Sequence, residues 1–461
     1  MSQEVPAQTV LAVPFRQALR FWLHLGFISF GGPAGQIAIM HRELVERRGW
    51  ISEKRFLHAL NFCMLLPGPE AQQLATYLGW LMHKTRGGIA AGVLFVLPSL
   101  LMLIALSWLY MVYGTQPLAA GVLYGIKPAV VAIVMHALHR LASKTLGDPR
   151  CLPVPWAIAF SSFVALSFFA VPFPAVVLAA LLVGVLLARW APGAMAGAVK
   201  QTPRQADGQA AGMMPEASPL PEHARFKRSR LAWVLLAGAL LWSMPMAALL
   251  WWQGWSGTLT QMGWFFSKAA MLTFGGAYAV LPYVNQAAVE QYQWLSTAQM
   301  MDGLALGEST PGPLIMVVAY VAFVGGWLKQ VAGPDALFQG AALAACVATW
   351  FTFLPSFIFI LAGGPWVEST RGNVRLTTPL AAVTAAVLGV IANLALYLGL
   401  AVAYPATRAG AHPLWSLQVD AWALLLVLAA ALALWRLKWS VLQVIGACAL
   451  AGLALRWLGL A

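Results

Sequence analysis

The stretch FWLHLGFISFGGP, residues Phe21–Pro33, decides the fold, because it returns later in the chain as FFSKAAMLTFGGA, residues Phe265–Ala277. In the same register, LLPGP at Leu65–Pro69 returns as STPGP at Ser309–Pro313. Two segments that repeat in order and at equal spacing indicate an internal duplication. The chain is therefore predicted to consist of two homologous halves.

The composition places both halves in a membrane. Of the 461 residues, 61% are hydrophobic and only 9% are charged, and the mean hydropathy is +0.75. Soluble globular proteins of this size do not usually show that balance. The longer apolar segments reach the roughly 20 residues that a helix needs to cross a bilayer. We therefore expect an all-α integral membrane protein, without a cleaved signal peptide.

Beyond the proline-glycine motifs the register shifts once, where Leu97–Ser99 meets Leu354–Ser356 after an insertion in the second half. A segment rich in Ala, Gly, Pro, Gln and charge separates the halves and indicates a solvated linker. One additional apolar helix then precedes the second half and turns it upside down, which is a recurring plan of secondary transporters. The predicted units are residues 1–190, a basic linker at 191–229, and an inverted half at 230–461 that includes the extra helix 230–252.

The positions of Lys and Arg distinguish two topologies. If the GGP and PGP segments are re-entrant hairpins, about nine spans and four hairpins result. Of the 28 Lys and Arg residues, only Lys329, Arg408 and Arg456 then lie in loops opposite the linker. With about thirteen full spans, the basic segment 42–55 changes sides and the asymmetry weakens. We favour the hairpins, with the linker cytoplasmic and the protein multi-pass in the cell membrane.

The helix breaks are the first candidates for a site. Proline and glycine interrupt helices, and broken helices at membrane depth need protein or water around them. Their free N–H groups and partial positive charge suit a small anion. Kinks that serve packing alone are the alternative, which the paired recurrence makes weaker. The candidate substrate-binding residues at the breaks are Gly31, Gly32, Pro33, Pro67, Gly68, Pro69, Gly275, Gly276, Pro311, Gly312 and Pro313.

Carboxylates within apolar segments are costly and usually mark an ion or proton path. Glu70 and Glu308 flank the two PGP motifs and are predicted to be the proton-coupling residues, while Asp302 also lies in apolar context. Gln73 and Tyr77 share a helix face with Glu70. The alternative for Glu70 is that it only complements the start of its helix.

Lys127 and Lys268 are the basic residues that lie outside the predicted loops, and Lys268 occupies the repeat position of His24. A buried ammonium must be paired or satisfied by an anion. We predict that Lys127, Lys268 and His24 contribute to substrate binding. Pairing of the lysines with Glu70 or Glu308, or extension toward the membrane surface, remains an alternative.

The segments FGGPAGQIAIMHRELVERRGWIS at Phe30–Ser52 and LPGPEAQQLATYLGW at Leu66–Trp80 resemble the signature of the chromate ion transporter (CHR) family. FGGAYAVLP and STPGP in the second half resemble its C-terminal copy, so the chain resembles a long, two-domain member. The positions that match the family's N-terminal motifs are Gly31, Gly32, Pro33, Pro67, Gly68, Pro69, Glu70, Gln72 and Gln73.

This resemblance implies export of chromate from the cytoplasm, coupled to protons as in an antiporter, and hence chromate resistance. Sulfate would be a competing or transported analogue, and a sulfate or other oxyanion uptake permease is the alternative function. No enzymatic motif, metal site or cofactor is expected, and the net charge of +13 reflects membrane orientation rather than nucleic-acid binding. The oligomeric state, including a homodimer, stays open.

Overall fold

The structure, a computed structural model, describes residues 13–30, 32–114, 116–146, 153–169, 171–191, 195, 226–274, 277–369, 377–404 and 419–460. The helices of the first half are α1 Phe15–Ile28, α2 Gly32–His41, α3 Glu53–Cys63, α4 Glu70–Tyr113, α5 Pro117–Thr145, α6 Pro153–Phe169 and α7 Phe173–Trp190. Those that follow the linker are α8 Arg228–Gln253, α9 Thr258–Leu272, α10 Ala277–Asn285, α11 Thr297–Ser309, α12 Val317–Leu328, α13 Leu337–Ser369, α14 Thr377–Ala403, α15 Ala421–Trp435 and α16 Val441–Trp457.

Six of the described helices are long and apolar enough to cross a membrane, and α6, α15 and α16 are shorter apolar helices. Their outward faces carry exposed aromatic side chains such as Phe168, Trp233 and Trp251. Large apolar surfaces of this kind are stable in lipid and not in water. The prediction of an all-α membrane protein is confirmed.

The packing of α4, α8 and α13 defines two ends of the molecule. At one end, the start of α8 lies against Pro365 near the end of α13, and Trp80 lies against Gly364. At the other end, Gln253 at the close of α8 donates from Nε2 to the carbonyl of Val331 (3.0 Å). We call these the linker end, where α7 finishes and α8 begins, and the far end.

The first half contains two hairpins that open toward the linker end. After α1 the chain returns through α2, because the Arg48 guanidinium lies 5.0 Å from the ring of Phe21, halfway along α1. After α3 the chain returns through the first turns of α4, because His83 Nε2 lies 2.7 Å from the carbonyl oxygen of Val13, just before α1. At His83–Lys84 the backbone leaves helical geometry, and the rest of α4 crosses to the far end.

The second half repeats both hairpins in the opposite direction. Trp294, the repeat partner of Trp50, packs on Phe265 (5.8 Å between ring centres), just as Trp50 packs on Phe21 (5.3 Å). These contacts lie toward the far end, next to the loop that follows α12. Because the hairpins of the two halves enter from opposite ends, the inverted repeat with re-entrant hairpins is confirmed for the described residues, in preference to a single crossing of every segment.

A single π-helical turn follows the return helix of the first hairpin in both halves. It spans Arg42–Arg47 after α2 and Gln286–Gln291 after α10, which are equivalent positions of the repeat. The π-helix is rare and often marks functional regions. Its recurrence shows that the duplication preserves local backbone geometry as well as sequence motifs.

The remaining helices form a scaffold in which glycines allow close packing, as small residues commonly do between membrane helices. At Gly452 on α16, an added Cβ would lie 2.5 Å from the Cα of Gly125 on α5 and 2.6 Å from the carbonyl oxygen of Gly121. The two backbones are therefore in direct contact. The scaffold supports the second-half hairpins, since α5 and α16 also pack against α11.

We expect Gly452→Ala to destabilise the protein by about 1–3 kcal/mol, because the extra methyl group forces α5 and α16 apart. Gly446→Ala on the same helix is the matched control, since no heavy atom lies within 4 Å of its Cβ position. Thermal unfolding of the two purified variants measures the difference. Equal melting temperatures would show that this contact does not hold the scaffold together.

Candidate functional site

The PGP motif of each half is hydrogen-bonded to the helix break of the other half. The N–H of Gly68 donates to the carbonyl oxygen of Thr273 (2.7 Å), and the N–H of Gly312 donates to that of Ser29 (2.8 Å). Ser29 and Thr273 are repeat partners that immediately precede the two Phe-Gly-Gly motifs. The hairpin tips therefore meet, and we call their meeting place the crossing.

The central glycines of the two PGP motifs adopt a backbone conformation that is unfavourable for residues with a Cβ atom. The φ angle is +126° at Gly68 and +108° at Gly312, where L-residues other than glycine are strained. A Cβ at Gly312 would lie 2.6 Å from Cβ of Ser99, and one at Gly68 would collide with the hydroxyl of Ser356. Because Ser99 and Ser356 are also repeat partners, the crossing has approximate two-fold symmetry.

Two helical segments begin at the crossing, one in each half. Pro69 and Pro313 immediately precede α4 and the 3-10 turn Leu314–Met316 that leads into α12, so each motif ends where a helix begins. Proline fits that place because the first helical N–H groups have no partner within the helix. The N–H groups of Gly68 and Gly312 are already engaged, so an anion here would rely on the first turns of the helices that start at the crossing.

Gln36 and Gln73 join these tips through their side chains. Gln36 Nε2 donates to the carbonyl of Ser29 (3.3 Å) and to that of Gly312. Gln73 Nε2 donates to the carbonyl of Pro67 (2.7 Å). Both glutamines are buried. The predicted substrate ligand Gln73 therefore uses its amide N–H in fixing the PGP turn, and Gln36 was not among the predicted site residues.

Gln72, the other predicted glutamine ligand, donates from Nε2 to the hydroxyl of Thr76 (3.0 Å). The Oε1 atoms of Gln36, Gln72 and Gln73 are buried and accept no hydrogen bond from the described residues. Amide oxygens accept hydrogen bonds, whereas a dianion needs hydrogen-bond donors. In this arrangement the glutamines shape the crossing, and a direct contact of Gln72 or Gln73 with an anion needs the amide groups to reorient.

Glu308 lies at the tip of the second-half hairpin, and its hydrogen-bond donor Tyr278 reaches Gly32 of the first half. The hydroxyl of Tyr278 donates to Glu308 Oε1 (2.7 Å), and the same hydroxyl oxygen lies 3.9 Å from the Cβ position of Gly32. Glu308 is partly exposed, whereas residues 300–305 on the same helix are buried. The carboxylate is therefore at the crossing.

Glu70 is the first residue of α4 and directly follows Pro69. A carboxylate in the first turn of a helix is stabilised by the helix dipole. This position agrees with the alternative in which Glu70 complements the start of its helix. Glu70 also lies at a crossing tip. Its position is therefore compatible both with proton coupling and with stabilising the start of α4.

Lys127 on α5 is paired with Asp302 on α11, with 3.8 Å between Nζ and Oδ1. The hydroxyl of Tyr110 donates to Asp302 Oδ2 (3.0 Å). The sequence had suggested Glu70 or Glu308 as the partner of the lysine. Asp302 precedes Glu308 by six residues on α11, so the pair lies roughly 9 Å from Glu308 toward the far end.

His24 and Lys268 do not join the crossing. His24 is exposed on α1 beside exposed Leu23 and Phe27, and Lys268 is partly exposed on α9 with its Nζ 5.8 Å from the ring centre of Trp264. Both side chains therefore lie on the outward stripes of their helices. Their symmetry reflects the repeat, and their position resembles that of residues that extend along the lipid surface.

Comparison with known proteins agrees with this architecture. A family model of chromate transporters matches residues 16–185 and 260–453, one match in each half. The chain belongs to the chromate transporter family. It is 33% identical over 393 residues to a chromate transport protein of Pseudomonas aeruginosa, covering 83% of this chain and 82% of that protein. It is 31% identical over 382 residues to one of Cupriavidus metallidurans, covering 82% and 80%. No solved structure matches.

Of the predicted breaks in this chromate transporter family member, Gly31, Gly275 and Gly276 lie outside the described residues. The described ones do meet: Gly32 and Pro33 begin α2 beside Tyr278, and Pro67, Gly68, Pro69, Pro311, Gly312 and Pro313 form the two crossing tips. The structure thus brings together the proline-glycine motifs of both halves and the two glutamates that flank them, Glu70 and Glu308.

Two features of the site went unrecognised in the sequence, although signals for both were present. A small hydroxyl residue precedes Phe-Gly-Gly in both halves, as Ser29 and Thr273, and each hydroxyl donates to a carbonyl one turn earlier at 2.6 Å. The matching Leu-Pro-Ser motifs place Ser99 and Ser356 against the opposite tips. In a duplicated transporter, polar residues that repeat inside apolar segments are therefore a signal for the site.

Proposed function

We propose that the protein exports chromate across the cytoplasmic membrane, from the linker end to the far end, and that this export is coupled to protons. The observation that carries the proposal is the reciprocal pairing of Gly68 with Thr273 and of Gly312 with Ser29, which brings the broken helices of two inverted halves together. That arrangement is characteristic of secondary transporters with a central substrate site.

The oxyanion as substrate is supported by the chemistry of helix starts and by the relatives. First-turn N–H groups and the positive end of the helix dipole favour a small anion. Three relatives, including one of Synechococcus elongatus at 28% identity, carry names that describe them as chromate transport or probable chromate transport proteins. Backbone donors recognise tetrahedral chromate and sulfate alike, so sulfate is the natural competitor.

The outward direction is supported by charge and energetics. The linker end carries most of the basic residues, and by the positive-inside rule this supports a cytoplasmic linker end. A dianion that leaves a cell with a negative interior gains about 2.3 kcal/mol per charge for each 100 mV. Uptake of the same ion needs accompanying cations, so export is the less demanding direction.

Proton coupling is assigned to Glu308 rather than to Glu70. Glu308 is at the crossing, is partly exposed and has a tyrosine hydroxyl as its hydrogen-bond donor. Glu70 has a second explanation at the start of α4. A carboxylate inside the membrane segment is expected to exchange protons as the transporter changes conformation.

Transport in inverted membrane vesicles tests the function. With radiolabelled chromate outside such vesicles, we expect time-dependent accumulation that an imposed interior-positive potential increases and excess sulfate reduces. Vesicles without the protein are the control. Free movement of labelled sulfate without any accumulation of chromate would contradict chromate export and favour an oxyanion permease.

A further inference from the structure

A polar cluster of four residues lies between the crossing and the far end, and we call it the lysine cluster. Its members come from four helices: Tyr110 from α4, Lys127 from α5, Asp302 from α11 and Tyr320 from α12. The ring of Tyr110 lies against that of Tyr320 with 5.6 Å between their centres. Asp302 and Tyr320 are almost fully buried, whereas the side chain of Lys127 is 29% exposed.

The hydrogen-bond donors of the lysine cluster are only partly used. Lys127 Nζ is 3.8 Å from Asp302 Oδ1, which is beyond hydrogen-bonding distance, and Oδ1 accepts no hydrogen bond from the described residues. The buried hydroxyl of Tyr320 makes no close hydrogen bond with the described residues, although it lies near the hydroxyl of Tyr110 and the carboxylate of Asp302. A buried ion pair is normally held by close, satisfied hydrogen bonds. This pair is loose, and both the ammonium of Lys127 and the hydroxyl of Tyr320 lie near the carboxylate of Asp302.

The lysine cluster combines residues of both halves and is not repeated. The first-half positions equivalent to Asp302 and Tyr320 are His58 and Thr76. The crossing, in contrast, repeats its backbone hydrogen bonds in both halves. The repeat therefore does not need this cluster for folding. Because the cluster also shares α11 with Glu308, it is a candidate for function rather than for scaffold packing.

We propose that Lys127 binds the transported oxyanion between the crossing and the far end, and that Asp302 is the internal anion which the substrate displaces from it. This inference rests on the proposed function, because it names a subsite of the same pathway. Tyr320 is the second donor of the subsite, and Tyr110 retains Asp302 when the lysine is released.

The physical reason for the exchange is that a bare ammonium is costly at this depth and would hold a dianion too firmly. A nearby carboxylate removes the cost and competes with the substrate, so the anion is bound weakly enough to leave. Conduction through membrane proteins requires this balance between entry and release. The loose 3.8 Å separation fits a pair that opens in each cycle.

Ligand-dependent thermal stability of the purified protein in detergent tests the proposal, with sulfate and chromate as the probes, because at a given ligand concentration a tighter ligand raises the melting temperature more. We expect Lys127→Gln to lose roughly tenfold or more in apparent affinity for both ions. Asp302→Asn is expected to gain several-fold, since the competing carboxylate is gone. Asp420→Asn is the matched control, because Asp420 also accepts from a tyrosine, Tyr124 (2.8 Å), but forms no ion pair with a lysine of the described residues.

The double variant Lys127→Gln with Asp302→Asn is neutral and carries the test if a single variant does not fold. Weak binding in the double variant supports the subsite. Affinity equal to the wild type in the double variant, or a loss in Asp302→Asn as large as in Lys127→Gln, would show that the pair is structural and overturn the inference.

The same variants separate this inference from the proposed function. If the wild-type protein binds sulfate in a Lys127-dependent way but its vesicles do not accumulate chromate, chromate export fails and the subsite stands. If Lys127→Gln vesicles accumulate chromate at the wild-type rate and affinity, export stands and the subsite fails.

Discussion

Gly312→Ala is expected to abolish transport and to lower the stability of the protein by several kcal/mol. At φ = +108° an alanine adds about 1–2 kcal/mol of backbone strain. Its Cβ would also lie 2.6 Å from that of Ser99, which forces the tip away from α4. The displaced tip then loses the hydrogen bond to Ser29, which contributes about 1 kcal/mol when made and costs more when its buried groups stay unpaired.

Gly333→Ala is the matched control for this prediction. Gly333 has a φ angle of +90°, but no heavy atom lies within 4 Å of its Cβ position. It therefore suffers the backbone strain without the collision or the lost hydrogen bond between halves. Thermal unfolding and vesicle transport of both variants measure the difference. Wild-type transport by Gly312→Ala would mean that the crossing tolerates displacement and is not the site.

Glu308→Gln is expected to reduce chromate transport by roughly tenfold or more, equivalent to about 1.4 kcal/mol, and to remove its dependence on pH. Glutamine keeps the size of the side chain and an oxygen that accepts from Tyr278, but it cannot take up a proton. Initial transport rates in vesicles at several pH values measure both effects. A rate that is low and flat with pH is the expected result.

Two further variants make the Glu308 prediction specific. Glu290→Gln changes an exposed carboxylate in the π-helical turn of the same half and should leave the pH profile unchanged. Tyr278→Phe removes the donor to Glu308 and should alter the pH profile without flattening it. A Glu308→Gln protein with the wild-type pH profile would exclude this residue as the proton carrier.

The fold could be predicted because its determinants are local and repeated. Gly-Gly-Pro and Pro-Gly-Pro mark helix breaks wherever they occur in apolar segments, and the basic loops fix which ends lie together. Because each motif occurs twice, the two halves were expected to share the same backbone course. The hairpins and the inversion follow from these signals, and the structure agrees with both.

The side-chain pairing could not be predicted, because it depends on how helices far apart in sequence are rotated against each other. Lys127 and Asp302 sit in different halves, and nothing in either segment specifies that α5 packs on α11. For the same reason, repeat symmetry alone suggested a shared role for His24 and Lys268. Their helix faces, which the sequence pattern left ambiguous, point outward.

The reciprocal hydrogen bonds at the crossing were also beyond sequence reasoning. They join backbone atoms of Gly68 and Thr273, and of Gly312 and Ser29, which carry no residue-specific signal beyond the need for glycine. The prediction that the breaks converge was made from spacing and from analogy with inverted repeats. The structure supplies the contacts and shows that the N–H groups of Gly68 and Gly312 are hydrogen-bonded to carbonyl groups of the opposite half.

The central claim is that inverted re-entrant hairpins meet inside the membrane, and the side from which single cysteines react tests it most directly. In a background without Cys63, Cys151, Cys346 and Cys448, single cysteines replace exposed Arg47, exposed Gln291 and Lys227 next to the linker. An impermeant thiol reagent should label positions 47 and 227 from the same side of the membrane and position 291 from the other. Labelling of positions 47 and 227 from opposite sides would contradict the re-entrant hairpins and with them the crossing.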